Sequence, residues 1–443
     1  MPLRGFLAGY RGFERDARIF LLGTVFSAGA IGLFWINFNL YLAALGIDVA
    51  TIGLIATAGA LAAALSALPA SILSDRIGRR MVMIGGSLLA TLALGGLLAF
   101  ESVALIFVLA IVYNVGQQVR FVVANPYMTE HSEPERRNEL FALQFAIVNG
   151  THVVAALGGS LLAAAVVGGG LAVNSPDAHR VLLLVMLGLS AVSVVTAVML
   201  RDDRNASAGI SVPGPSSEPG APRLSDMGIR TRIDRLGLRI GNPGLFVRIV
   251  LPGFIISLGA GQVLPFLNLY VVGRFGLDLS QTNVIFAVTS FGTMIAILLQ
   301  PLLARRYGRI GSVVLVQAAS IPFLVALGFA PVVWMVVIAM TVRNALMNAS
   351  NPIFNAFAMD RVRPAERATV NASMTLLWSV GWAIGGVYYS IVQAALGFEL
   401  GYNLNFVTII VLYTLATSLY WIWFGRAERA GQLAPAPSPG RTA

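Results

Sequence analysis

The sequence predicts an all-α polytopic membrane protein that crosses the bilayer twelve times, as two pseudo-symmetric six-helix bundles. Three observations carry this reading. The chain is 57% hydrophobic and only 11% charged, whereas soluble domains carry about 25% charged residues. The apolar residues gather into runs of about 20, the length that spans a hydrocarbon core. A long polar segment divides the chain near its middle, and short motifs before it recur after it.

The elements follow in order. Residues 1–18 place Leu3, Phe6, Leu7, Tyr10 and Phe13 at helical spacing beside Arg4 and Arg11, which predicts a helix lying on the membrane surface. Apolar runs at 19–44, 50–73, 82–100, 103–128, 140–167 and 180–200 form the N-terminal bundle, 19–200. The first run is too long for a signal peptide and lacks a cleavage flank, so none is expected. Residues 201–246 form a linker. Its stretch 205–226 is rich in Gly, Pro, Ser and Ala and reads as flexible. Its stretch 228–240 sets Ile229, Ile233, Leu236 and Ile240 among Arg230, Arg232, Arg235 and Arg239, a basic amphipathic helix suited to an anionic leaflet. Runs at 247–272, 282–304, 311–330, 332–358, 368–396 and 402–424 form the C-terminal bundle, 247–424, and 425–443 is a tail.

Charge placement sets the orientation. All 30 basic residues are Arg, and the formal net charge is +10. With loops assigned alternately, Arg180 and Arg274 fall on one side, Arg120 and Arg343 fall inside runs, and every other Arg falls on the opposite side. This is the positive-inside pattern, so both termini are expected in the cytoplasm of a multi-pass cell-membrane protein, with lipid rather than nucleic acid as the partner of the basic surface.

Several chemistries are excluded. Without Cys there is no disulfide or thiolate metal site, and without Lys there is no Walker A phosphate loop. His131, His152 and His179 have no metal-ligand spacing, and no nucleophile elbow or carboxylate pair occurs. No cofactor, metal or enzymatic activity is expected. Asn205-Ala206-Ser207 fits a glycosylation sequon but lies in the predicted cytoplasmic linker.

The two bundles repeat one another. Asn39-Leu40-Tyr41-Leu42 recurs as Asn268-Leu269-Tyr270-Val271, and Gly46-Ile47-Asp48 as Gly276-Leu277-Asp278. Asn125-Pro126 recurs as Asn351-Pro352, and Gly158-Gly159 as Gly385-Gly386. Paired repeats of this kind build many secondary transporters.

Between the second and third runs stands Leu73-Ser74-Asp75-Arg76-Ile77-Gly78-Arg79-Arg80, and 230 residues later Leu303-Ala304-Arg305-Arg306-Tyr307-Gly308-Arg309 echoes it. With twelve runs in two halves, this loop resembles that of the major facilitator superfamily, Gly-x-Leu-x-Asp-Arg-x-Gly-Arg-Arg, with Ser71 in place of the first Gly. The resemblance implies that superfamily's fold and transport by alternating access, in a chain working as a monomer without a cofactor.

The arginines of the loop hold it on the cytoplasmic side, while Gly78 allows a tight turn. In the arrangement the resemblance implies, Asp75 faces the start of the eleventh helix, whose dipole favours a carboxylate and whose entry carries Arg361, Arg363 and Arg367. In the echo, Arg305 replaces the acid and faces Glu130, Glu133, Glu135 and Glu139. Asp75, Arg76, Gly78, Arg79, Arg80, Arg305, Arg306, Gly308, Arg309, Glu135 and Arg367 are therefore expected to gate the cytoplasmic end, each contact contributing only about 0.2–1 kcal/mol.

Polar groups at membrane depth mark the candidate substrate site. Arg120 and Arg343 are expected to bind anionic groups, or else to bond Gln117, Gln118, Asn344 or helix carbonyls. Asn39, Gln262, Asn268 and Trp382 are further substrate contacts, with Asn37, Trp35, Asn348 and Trp378 as other cavity candidates. His152 is the candidate for proton coupling, because an unperturbed imidazole titrates near neutral pH. An antiporter pattern expected in the fifth helix, Gly-x-x-x-Gly-Pro-x-x-Gly-Gly, keeps Gly150, Gly158 and Gly159 but has Val154-Ala155 at its centre. The predicted function is transport of a small organic solute, anionic or neutral and amphipathic. Proton-coupled multidrug efflux and lipid flipping are the alternatives.

Overall fold

The computed structural model describes residues 13–131, 137–201, 242–307, 309–363 and 366–425, with backbone alone at 75, 125, 137, 138, 142, 297–307, 309, 352, 356 and 368. Residues 1–12 of the expected surface segment 1–18, 202–241 of the expected linker 201–246 and 426–443 of the expected tail lie outside the described residues, as do Glu135 and Gly308. The N-terminal half runs α1 (Arg15–Ala44), α2 (Val49–Ile77), α3 (Arg79–Ala99), α4 (Val103–Glu130), α5 (Arg137–Gly168) and α6 (Pro176–Met199). The C-terminal half begins with α7 (Pro243–Phe275), α8 (Leu279–Tyr307), α9 (Arg309–Phe329) and α10 (Val333–Arg361). A final helical stretch, Arg367–Tyr420, is interrupted at Gly397, where φ 71° and ψ −172° reverse the chain. It therefore forms two helices, α11 (367–396) and α12 (398–420). Their antiparallel return is fixed by the hydroxyls of Tyr389 and Tyr402 at 2.8 Å and of Tyr388 and Thr408 at 3.1 Å.

Among the described residues, ten spans are long and apolar enough to cross a membrane, the last of them holding both α11 and α12. The helix α8 completes the twelve. Most helices outrun their apolar runs by a few residues. A 29-residue helix such as α2 rises roughly 44 Å at 1.5 Å per residue, which exceeds the ~30 Å apolar core. Its charged end therefore stays helical in the headgroup layer. The Asp-Arg segment is accordingly the last turn of α2, and the loop is a single residue, Gly78, at φ 95° and ψ 147°. A side chain is strained at that φ, so Gly is needed there.

The repeated Gly-Ile-Asp and Gly-Leu-Asp segments build the same turn twice. Gly46 and Gly276 adopt positive φ after α1 and α7, Ile47 and Leu277 bury their side chains, and the Asp caps the next helix. Asp48 accepts from the Thr51 N–H at 2.9 Å, and Asp278 accepts from the Gln281 N–H at 2.6 Å while Gln281 accepts from the Asp278 N–H. The latter is a reciprocal capping box.

The helix α7 is broken by a 3₁₀ turn at Leu264–Phe266, because Pro265 has no N–H to offer the carbonyl of Gly261 one turn back. The halves meet through α1 with α7, α2 with α11 and α5 with α8. Connections 44–49, 99–103, 168–176, 275–279, 329–333 and the break at 397 share one end of the bundle, here the far end. The opposite end carries most of the arginines and is the basic end.

Candidate functional site

A cavity of about 580 Å³ lies between the halves, walled by α1, α2, α4, α7 and α11. Its walls are aromatic on two sides. Phe34 stacks on Phe38 at 4.5 Å and on Tyr113 at 4.2 Å from the N-terminal half. Trp378 and Trp382, with ring centroids 6.2 Å apart, stand on the C-terminal side. Trp35, Phe121 and Phe266 add to the lining.

Polar lining comes from Asn39, Thr57, Asn114, Gln117, Gln118 and Ser379. Positions 114, 117, 118 and 121 of α4 follow one helical face, which is why they arrive together. Among the described residues, the lining contains no Asp, Glu, Arg or His. Asn39 Nδ2 donates to the Pro265 carbonyl at 2.8 Å and Asn114 Nδ2 to the Ala110 carbonyl at 2.8 Å. A carbonyl can only accept, so these bonds fix the amide orientation and leave each side-chain oxygen to a cavity occupant. Gln117 Nε2 donates to the Tyr113 hydroxyl at 3.0 Å.

Of the six substrate contacts expected from sequence, Asn39 and Trp382 line this cavity, and the other four turn into the protein. Arg343 is 2% exposed. Its Nη2 donates to the Tyr413 hydroxyl at 2.6 Å, its Nη1 to Asn344 Oδ1 at 2.8 Å, and its guanidinium lies 5.3 Å from the Tyr413 ring centre. Arg120 points between α4 and α1, with Nη2 3.4 Å from the Gly23 carbonyl. Gln262 is buried with Oε1 unpartnered, and Asn268 is buried between the halves. His152, on α5, lies against Gly32 of α1 rather than in the lining. From sequence, Gln117 and Gln118 were expected only as partners for an arginine, and Asn114, Thr57 and Ser379 were missed; nothing in the sequence separated cavity aromatics such as Phe34 and Phe266 from packed ones.

At the basic end, Arg79 Nη2 meets Glu130 Oε1 at 2.7 Å, and Arg80 Nη2 donates to the Val198 carbonyl at 2.7 Å. Both bonds brace the start of α3 against other helices of its own half, α4 and α6. Arg76 and Arg367 are exposed. At Asp75, Arg305, Arg306 and Arg309 side chains are outside the description.

Twelve helices in two like halves around a mid-depth cavity define a membrane carrier. The sequence matches the Major Facilitator Superfamily over residues 20–386, and the chain belongs to that family; it is a transporter rather than an enzyme. No curated protein matches it. Among solved structures it is similar to the nucleoside transporter NupG, at 14% identity and TM-score 0.70 over 92% of this chain and 99% of that one. It is also similar to a bacterial homologue of the human lysosomal transporter Spinster in an inward-facing conformation, at 16% identity and TM-score 0.69 over 96% and 100%. A bacterial homologue of the iron transporter ferroportin, also inward-facing, follows at 13% identity and TM-score 0.67 over 92% and 98%. These likenesses are of fold.

Proposed function

We propose that the chain carries a neutral, ring-bearing organic solute with hydrogen-bond donors through the central cavity by alternating access. The observation that carries this reading is the lining, which is aromatic and carboxamide in character and free of charged side chains. An anion there would lose its hydration without a cation to replace it, because Arg120 and Arg343 are engaged elsewhere. A flat ring can stack between the Phe34 side and the tryptophan pair, and its N–H or O–H groups can donate to Asn39 and Asn114. The fold leaves the cargo open, since similar structures include a nucleoside transporter and a ferroportin homologue. The arginine distribution supports a cytoplasmic location for the basic end and both termini.

Thermal stabilisation of purified protein tests the reading, because a ligand of the folded state raises apparent stability by mass action. Neutral donor-bearing ring compounds raise Tm, and anionic counterparts of the same size do not. Trp382→Ala weakens binding about two- to tenfold, the value of one aromatic contact of about 0.5–1.5 kcal/mol. Stabilisation by anions instead, abolished in Arg343→Gln, overturns the reading.

A further inference from the structure

The far end of the cavity is held by bonds that cross between the halves, and two of them are the same bond made twice. Asn39 of α1 donates to the carbonyl of Pro265, three residues before Asn268. Asn268 of α7 donates at 2.8 Å to the carbonyl of Ile36, three residues before Asn39. Each half therefore offers an Asn and the carbonyl one turn upstream, and receives the same pair from its partner, as a twofold contact requires. The repeated Asn-Leu-Tyr segment encodes this exchange. Pro265 supplies its carbonyl from the 3₁₀ break, where regular α-helical bonding has stopped.

A second reciprocal pair backs the first. Asn37 Nδ2 and Asn283 Oδ1 stand 3.3 Å apart, and Asn283 Nδ2 donates to Asn37 Oδ1 at 2.9 Å, both residues fully buried. Asn39 and Asn268 differ in one respect that matters. Asn39 and Pro265 are cavity wall as well as clasp, whereas Asn268 is buried away from the cavity.

We propose that Asn39 and Asn268 form the gate that keeps the far end of the cavity shut, and that Asn39 is the residue through which an occupant of the cavity acts on that gate. This rests on the central cavity being the substrate site. A solute that donates to Asn39 Oδ1 draws on the same carboxamide whose Nδ2 holds Pro265, so occupancy turns that amide, loosens one bond of the clasp and leaves its mirror image intact. Neutral amides suit such a gate, since breaking them exposes no unpaired charge.

The chain has no Cys, so spin labels can be placed directly at Val173→Cys and Leu400→Cys, exposed positions at the far end of opposite halves. Distances are measured by electron–electron resonance in lipid nanodiscs without any solute. Asn39→Ala and Asn268→Ala each raise the fraction of long distances about fivefold, the change expected for loss of about one hydrogen bond. Leu42→Ala, a buried packing control on α1, does not raise it. Addition of phenylurea, a neutral ring with N–H donors, lengthens distances in Asn268→Ala but not further in Asn39→Ala. Unchanged distances in both Asn variants, or an equal change in Leu42→Ala, overturn the gate. If Asn268→Ala does not fold, Asn268→Ser replaces it with the same expectation. Long distances in the Asn variants with no phenylurea effect in any chain keep the gate but overturn the role of Asn39 as its sensor. Failure of the substrate class shows separately, as absence of thermal stabilisation by neutral rings with the solute-free distances still shifted.

Discussion

Arg343 sits among apolar helices with no carboxylate in hydrogen-bond contact, yet two of its three nitrogens are bonded and its charge faces the Tyr413 ring. An uncompensated guanidinium at this depth is costly, and the Tyr413 hydroxyl and π-face offset part of that cost. The pairing ties α10 to α12 inside one half. Arg343→Gln is therefore expected to lower stability by about 1.5–3 kcal/mol, the range for a hydrogen bond to a charged group, while binding in the cavity stays unchanged. Tyr413→Phe loses less, because the ring and the Asn344 bond remain. Melting curves of both variants, with and without a neutral ring solute, check this; a lost ligand shift with an unchanged melting point in Arg343→Gln refutes it. The sequence shows that an arginine lies at membrane depth, but not which way it turns. Position 343 aligns with Gln117 of α4 when the Asn-Pro pairs are superposed, and Gln117 does line the cavity. The difference lies in the tyrosine on α12, a contact 70 residues away that no local spacing reveals.

At the scale of the helices, the second glycine of each pair repeated in α5 and α11 sits at a close crossing between the halves. A Cβ on Gly159 would lie 2.8 Å from Asn283 Oδ1 of α8, and a Cβ on Gly386 would overlap Thr57 Oγ1 of α2. The repeat was legible in the sequence as a repeat; its meaning, two equivalent crossings of the interface, needed the packing. Gly386→Ala is expected to destabilise by roughly 1–3 kcal/mol, the usual cost of overpacking. Thr57 is held in place by its bond to the Gly53 carbonyl at 2.7 Å and cannot simply swing aside. Adding Thr57→Ala removes the clashing oxygen and restores most of the loss. Comparable melting points for Gly386→Ala with and without Thr57→Ala refute the contact. The Gly-x-Asp segments were legible in the sequence only as a repeat; their role as caps of α2 and α8 needed the hydrogen bonds. Asp48→Ala costs about 0.5–2 kcal/mol. The Thr51 hydroxyl, then the Thr51 N–H, hold the Asp48 carboxyl below its ordinary 3.8, so its contribution is present above that value and is lost as pH falls below it. A melting point for Asp48→Ala that matches the unchanged chain at pH 7 sinks the cap.

For the molecule as a whole, short-range polar contacts join the two halves at the far end. Ser160 of α5 and Ser280 of α8 bring their hydroxyls to 2.8 Å there, and Asn174 donates to the Leu277 carbonyl at 3.1 Å. If transport requires these bundles to part, a covalent bond at Ser160 and Ser280 stops it while leaving the cavity intact. Hydroxyls in hydrogen-bond contact bring the two Cβ atoms to about the 3.5–4.5 Å that a disulfide spans, and a chain without Cys forms no competing bridge. Oxidised Ser160→Cys/Ser280→Cys is therefore expected to bind a neutral ring solute as the unmodified chain does and to move none across a liposome membrane. Reduction restores movement. The two readouts separate the possible failures: binding lost on oxidation means that the bridge distorts the cavity, whereas movement retained on oxidation means that the far end does not open during transport. The second result overturns alternating access between these bundles, because the solute would then cross with the α5–α8 contact still closed.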